Sequence, residues 1–381
     1  MTTVTTLASQ SLFVIITGAV NTGKSYQITS LLTAHVDGEP VATPTLFLLA
    51  EASGEGTAAE VLNDPGLCCV WPVADCDEAI EALQECLSKA GPVTLGEAKR
   101  RWHKVACRRV ADENLRALAK DKSARPMDPP PPLASSPRDG IVLRSVVVDT
   151  GTSLYQGSIN TYVRNSMAEA EKKQKGSSKD RSGKKDAPWN NSMNTNAFAA
   201  ARFQAFTDRL NAVTQHTRGL IALVTVHTRP SVRLMAAEGG EKKEVVVGET
   251  PALGATKIGD VGLAANGYSA TWSILAGKAN VIWHCFDDVP DLSNVATDDL
   301  NAPTTKRVTY GVITDKCKTA KRGVVDWVKR QGGEGPWSIF DSLPMYWHPN
   351  VKCDPATAAF SPTPNIGKVV AFALKAARSA A

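Results

Sequence analysis

No stretch of the 381-residue chain approaches the roughly 18 consecutive apolar residues that a membrane-spanning helix needs. The opening residues, MTTVTTLASQSLFVII, carry no basic residue ahead of their apolar run, so the secretory-signal pattern is missing. The eight cysteines (Cys68, Cys69, Cys76, Cys86, Cys107, Cys285, Cys317 and Cys353) include no CxxC pair. Neither a disulfide scaffold nor a paired-cysteine zinc site is therefore expected, and the thiols read as plain buried or surface groups in a reducing compartment. The six histidines show no HxxxH or HxH spacing, which removes the usual signature of a metalloenzyme. There is no internal repeat. With 43% hydrophobic and 21% charged residues, the composition is that of a globular protein rather than a disordered chain or a fibre.

The net charge of +5 is unevenly placed. Residues 95–125 hold ten Lys/Arg against four Asp/Glu, residues 157–188 eight against four, and residues 306–330 eight against two. The remainder of the chain is acidic. Basic character confined to three segments suggests a local surface for a polyanion such as nucleic acid; solvated helix faces and loops are the plainer alternative.

Along the chain, Ser11–Thr17 is a short β-branched apolar run that reads as a buried parallel strand, followed by a helix through SYQITSLLTAH. Further strands are expected at Thr45–Ala50, Leu67–Val73 and Ile141–Asp149. Helices are expected from Cys76 to Gly91, through the basic stretch Val93–Ala124, and from Asn194 to His216. Four consecutive prolines at 129–132 make Arg125–Gly140 an extended surface excursion. The polar run Ala168–Pro188 reads as a mobile loop. A strand LIALVTV ends at His227, and residues 228–256 read as a hairpin-bearing loop with KKEVVVGE as one arm. WSILA, NVIWHCF and KRVTYGVIT read as later strands that extend the sheet by antiparallel pairing. A Trp-, Pro- and Gly-rich tail closes with an alanine-rich helix from Ile366. Alternating strands and helices predict an α/β fold with a mainly parallel sheet and helices on both faces.

The motif that carries chemistry is GAVNTGKS, Gly18 to Ser25. It matches GxxxxGK[ST] and sits between a predicted strand and a predicted helix, the context that gives the motif meaning. Gly18 and Gly23 allow backbone conformations that a Cβ would obstruct. The loop N–H groups and the helix N-terminus can surround phosphates. Lys24 reaches the β- and γ-phosphates of ATP, and Ser25 offers a hydroxyl to Mg²⁺. The nucleotide-binding set is thus Gly18, Ala19, Val20, Asn21, Thr22, Gly23, Lys24, Ser25 and Tyr26. VVVD places Asp149 at the end of an apolar strand, where it can hold the same Mg²⁺; capping of the following helix is its ordinary alternative role.

With a strand TLFLLAE intervening and ending at Glu51, the sequence resembles the RecA-like P-loop ATPases, in particular the small phage-encoded, single-domain recombinases and annealing proteins. The resemblance runs from about Ser11 to Gly323, with excursions at 91–140 and 157–190 that the compact family form lacks. It implies a RecA-like ATP-binding domain over 1–330 and a C-terminal extension over 331–381. It implies that Glu51 polarises the attacking water, with Glu55 as competitor. His227, in VTVHTRP, takes the place of the residue that reads the γ-phosphate. Lys321 and Arg322 match basic residues that reach a neighbouring subunit's nucleotide, with Lys318 as competitor. The implied activity is Mg²⁺-dependent ATP hydrolysis coupled to DNA in recombination, annealing or replication. The implied partners are single-stranded DNA and further copies of the chain, in the cytoplasm. Two alternatives stay open: a nucleotide-binding assembly or packaging component with slow or no turnover, and a nucleotide kinase. The kinase is disfavoured because no lid helix with paired arginines is present.

Overall fold

The computed structural model describes residues 11–20, 22–50, 61–87, 93–175, 192–217, 219–236, 242–254, 270–279, 281–288, 308–313, 366–367 and 370–371. Strand β1 (Leu12–Gly18) leads into helix α1 (Lys24–Leu32) and a small hairpin, β2 (His35–Val36) and β3 (Glu39–Pro40). Then follow β4 (Thr45–Leu49), β5 (Cys68–Pro72), α2 (Cys76–Leu87), α3 (Leu95–Lys120), β6 (Ser145–Asp149), α4 (Gly151–Lys175) and α5 (Ser192–His216). The last elements are β7 (Ile221–Ala236), β8 (Lys242–Pro251), α6 (Ala270–Lys278), β9 (Val281–Asp288) and β10 (Val308–Ile313).

The sheet runs β10-β9-β1-β7-β6-β4-β5, with β8 paired to β7. Six strands, β9 to β5 in that order, are parallel; β10 and β8 are antiparallel to their neighbours. The expected α/β fold with a mainly parallel sheet is therefore present. The parallel strands are apolar on both sides because both faces are covered. Phe13, Ile15, Leu46, Leu48, Val146 and Val148 face one core with α2, α3, α4 and α5. Leu12, Val14, Ile16, Phe47 and Val147 face the other, covered by α1 through Ile28, Leu31 and Leu32 and by Ile366 and Val370 near the C-terminus.

Several elements differ from their sequence reading. WSILA lies in helix α6, not in a strand. A five-residue apolar run has no period long enough to separate the two, and here it packs beside α5, where Lys278 pairs with Asp208. Residues 168–175, expected in a loop, lie in α4, which continues to Lys175; the rest of that expected loop lies outside the described residues. AEAEKKQK is polar, yet each of its residues is a good helix former. Strand β6 is shorter than Ile141–Asp149. Val142 bridges Thr94 and Leu143 N–H donates to the Val93 carbonyl, so the chain joins the sheet only at Ser145. Strand β7 does not stop at His227 but runs on to Ala236 as the expected hairpin with β8. Pro230 is tolerated there because that half of β7 pairs only with β8 among the described residues.

Candidate nucleotide-binding site

The parallel strands end along one edge of the sheet, the position at which open α/β sheets bind ligands. Gly18, the last residue of β1, is in register with His227 of β7 on one side and Cys285 of β9 on the other. Asp149, the last residue of β6, is in register with Leu49 of β4. The fold therefore brings the Gly18–Ser25 loop, His227 and Asp149 to one edge. Strand β7 lies between the loop's strand and the aspartate's strand.

The loop is compact. Thr22 Oγ1 donates to the Ala19 carbonyl at 2.8 Å, and Thr22 N–H to the same oxygen at 3.4 Å. A Cβ on Gly18 would lie 2.5 Å from the Cys285 carbonyl oxygen and would also collide with Thr22 Oγ1, so only glycine lets β1 turn here. Gly23 opens α1 in the left-handed region, φ 86°. Any other L-residue there is strained by about 1–2 kcal/mol. Gly23 offers no side-chain cap and the first turn of α1 has no acidic residue, so the positive end of the helix meets the loop without a carboxylate of its own.

Lys24 is only 6% exposed, and its Nζ donates to the carbonyls of Gly18 at 3.1 Å and Ala19 at 2.5 Å. The ammonium is held against the backbone of its own loop. Ser25 is half-buried beside it, whereas Val20 and Tyr26 are exposed.

Asp149 is buried, and its Oδ1 accepts from Thr225 Oγ1 at 2.5 Å. The cap on α4 comes from Thr150, whose Oγ1 accepts from Ser153 N–H at 3.0 Å. Two residues on, Thr152 Oγ1 accepts from His227 N–H at 2.9 Å, tying β7 to the turn that follows the aspartate. Thr225 and Thr152 were not singled out by sequence reasoning. The available signal was a threonine at Thr225 in an otherwise apolar buried strand, since a buried hydroxyl needs a partner.

Ser25 and Asp149 supply the hard oxygen donors that suit Mg²⁺, which keeps most of its water shell and takes few protein ligands. Their chemistry therefore fits the ion, although among the described residues no three His, Cys, Asp or Glu side chains cluster as a metal site. Glu51, Glu55, Asn21, Lys318, Lys321 and Arg322 lie outside the described residues.

The basic helix α3 directs part of its charge inward. Arg109 pairs with Glu78 at 2.9 Å and with Glu81 at 2.6 Å, Arg108 pairs with Glu81, and Arg101 donates to the Glu85 carbonyl. Lys99 is buried against Asp139 at 2.7 Å. Four of the ten cations in 95–125 are thus engaged within the fold. The parts of the two other basic segments at 176–188, 306–307 and 314–330 lie outside the described residues. No described helix is long and apolar enough to cross a membrane.

Compared with models of known protein families and with curated proteins, the chain matches none.

Proposed function

We propose that this chain is a Mg²⁺-dependent ATPase of RecA-like architecture that acts on nucleic acid, single-stranded DNA being the expected partner. One observation carries the reading. The Gly18–Ser25 loop and the buried Asp149 share one edge of the parallel sheet, and the strand between them holds Asp149 through Thr225.

In this reading the loop N–H groups and Lys24 bind the phosphates, and Ser25 and Asp149 hold Mg²⁺. The ion would neutralise charge on the β- and γ-phosphates. Glu51, two residues beyond Leu49, accepts a proton from the attacking water. The water oxygen bonds to the γ-phosphorus, the bond to the β,γ-bridging oxygen breaks, and ADP and inorganic phosphate are released. His227, beside Gly18 in register, is suited to report whether the γ-phosphate is present. Lys321 and Arg322 would act on a nucleotide bound by a neighbouring copy.

The test is ATP hydrolysis with and without single-stranded DNA, at low and physiological salt, with Lys24→Ala as the blank. Stimulation that fades with salt and is absent in Lys24→Ala is expected, because phosphate contacts release counterions. ATP binding with turnover indifferent to DNA at both salts would sink the DNA-dependent reading. The internal pairing of the α3 cations favours a second reading, a nucleotide-binding assembly component. Nucleotide-dependent oligomerisation without DNA stimulation would support it.

A further inference from the structure

The proline tract is not a slack spacer. It runs antiparallel along α3 and is fastened to it at three levels. Lys99 Nζ donates to the Ala134 carbonyl at 2.8 Å, His103 Nε2 donates to the Pro130 carbonyl at 3.0 Å, and Asn114 makes two hydrogen bonds to the backbone of Met127, at 2.7 and 2.9 Å. Lys99 to Asn114 is fifteen residues of α-helix, about 22 Å of rise. Met127 to Ala134 is seven residues, which also span about 22 Å as polyproline II. The spans between the two end fastenings are those of an extended tract. Its burial confirms the geometry: Pro130, Leu133 and Ser136 are half-buried while the two residues between each are exposed. A period of three is that of polyproline II lying on a surface by one edge.

The other two edges face solvent. Pro129 and Pro132 share one and Pro131 lies on the next. Farther along, toward the Asn114 fastening, Met127 is exposed on the tract, and Leu115 and Leu118 are exposed on the outer half of α3, where no residue is buried. Charge does not point to a polyanion here. From Pro126 to Pro137 the one ionisable side chain is Asp128, and of the six cations on the α3 stretch beside it, Lys99, Arg101, Arg108 and Arg109 are engaged within the fold. A tract with outward prolines and almost no charge of its own suits a protein surface better than a phosphate backbone.

We propose that this arm is a protein-docking element whose partner presents an aromatic-lined groove that reads polyproline II. The Pro129-x-x-Pro132 edge is the recognised face. Fastening to α3 removes the entropy a free peptide would lose on binding. The proposal is independent of the nucleotide site.

The test titrates the full chain into dye-labelled WW and Src-homology 3 domains, the probes for such grooves, by fluorescence anisotropy. Saturable binding to at least one is expected, weakened about tenfold in the Pro129→Ala/Pro132→Ala variant. Release of the tract by Asn114→Ala should weaken it about threefold through lost preorganisation. Melting temperatures of both variants establish that they fold. No binding by either domain, or unchanged binding in the proline variant, overturns the proposal. So does displacement of the domain by single-stranded DNA, which would make the arm a nucleic-acid surface. Unchanged binding in Asn114→Ala overturns the role given to the fastening.

Discussion

Thr225 Oγ1 donates to Asp149 Oδ1 at 2.5 Å, joining two neighbouring parallel strands at the point where the proposed Mg²⁺ site begins. The hydroxyl is fully buried and the carboxylate nearly so, which makes the bond short-range and poorly replaced by water. A hydrogen bond to a charged group contributes about 1.5–3 kcal/mol. Thr225→Val keeps the shape and removes the donor. We expect the Mg²⁺ concentration for half-maximal ATP hydrolysis to rise about tenfold, as for other partners that orient a metal-binding carboxylate. Thr225→Ser should restore it. A fall in melting temperature with unchanged Mg²⁺ dependence would reduce the contact to a structural one.

Gly18 and Gly23 are both required by the loop, for different reasons, and their variants should separate. Gly18→Ala forces a methyl against the Cys285 carbonyl and Thr22, so β9 must move. Overpacking of this kind costs about 1–3 kcal/mol. Gly23→Ala meets a conformational penalty of about 1–2 kcal/mol, which Asn in its place should partly relieve. Thermal melts and titration with a fluorescent ATP analogue measure both. Nucleotide affinity should fall in each case, and only the Gly23 position should recover with Asn.

The setting of the Gly18–Ser25 motif was legible in the sequence because it is contiguous: the strand before it and the helix after it are both present, as β1 and α1. Asp149 was legible as the acid that ends an apolar strand. Thr225 was not, since its partner lies 76 positions away and the contact exists only once β7 is inserted between β1 and β6. Strand order is set by crossovers, which leave no local trace. The same limit explains WSILA, where neighbours rather than periodicity decide for helix, and α4, whose polar last turns disguised good helix formers as a loop. Residues 124–136, read as an extended excursion, hold no helix or strand, but their attachment to α3 depends on Lys99, His103 and Asn114, whose spacing means nothing until the chain folds back.

The cysteines should differ sharply in reactivity. Burial pushes the thiols of Cys68, Cys69 and Cys76 up to about 12 and raises Cys86 well above its ordinary value. Their thiolates are therefore negligible at pH 8, and reagents cannot reach them. Cys107 is half-exposed on α3, 3.5 Å from His103 Nε2. Brief alkylation of the folded chain at pH 8, read by peptide mass, should modify Cys107 and spare Cys68, Cys69, Cys76 and Cys86. Modification of Cys69 or Cys86 at a comparable rate would contradict the packing between β5 and α2.

The Lys99–Asp139 contact predicts how acid acts on the arm. Burial alone would raise the Asp139 carboxyl, but hydrogen bonds from Lys99 and from Ser136 N–H, together with the Lys99 charge, hold it below the ordinary carboxylate range. A carboxyl depressed in the folded state contributes stability that is complete above its unfolded pKa, about 3.9, and is lost as pH falls through the lower folded value. Asp139→Asn has no such titration. The difference in melting temperature between wild type and Asp139→Asn should therefore be constant from neutral pH down to about pH 5 and shrink below about pH 4. Lys99→Met leaves Asp139 without its cation and also frees the carbonyls of Pro65 and Ala134. It should destabilise the fold by about 3 kcal/mol, the lower end for a broken buried pair because Asp139 keeps some contact with water. A difference that instead grows in acid would mean that the carboxyl is protonated in the native fold, and the fastening of the tract at Ala134 would then need another source.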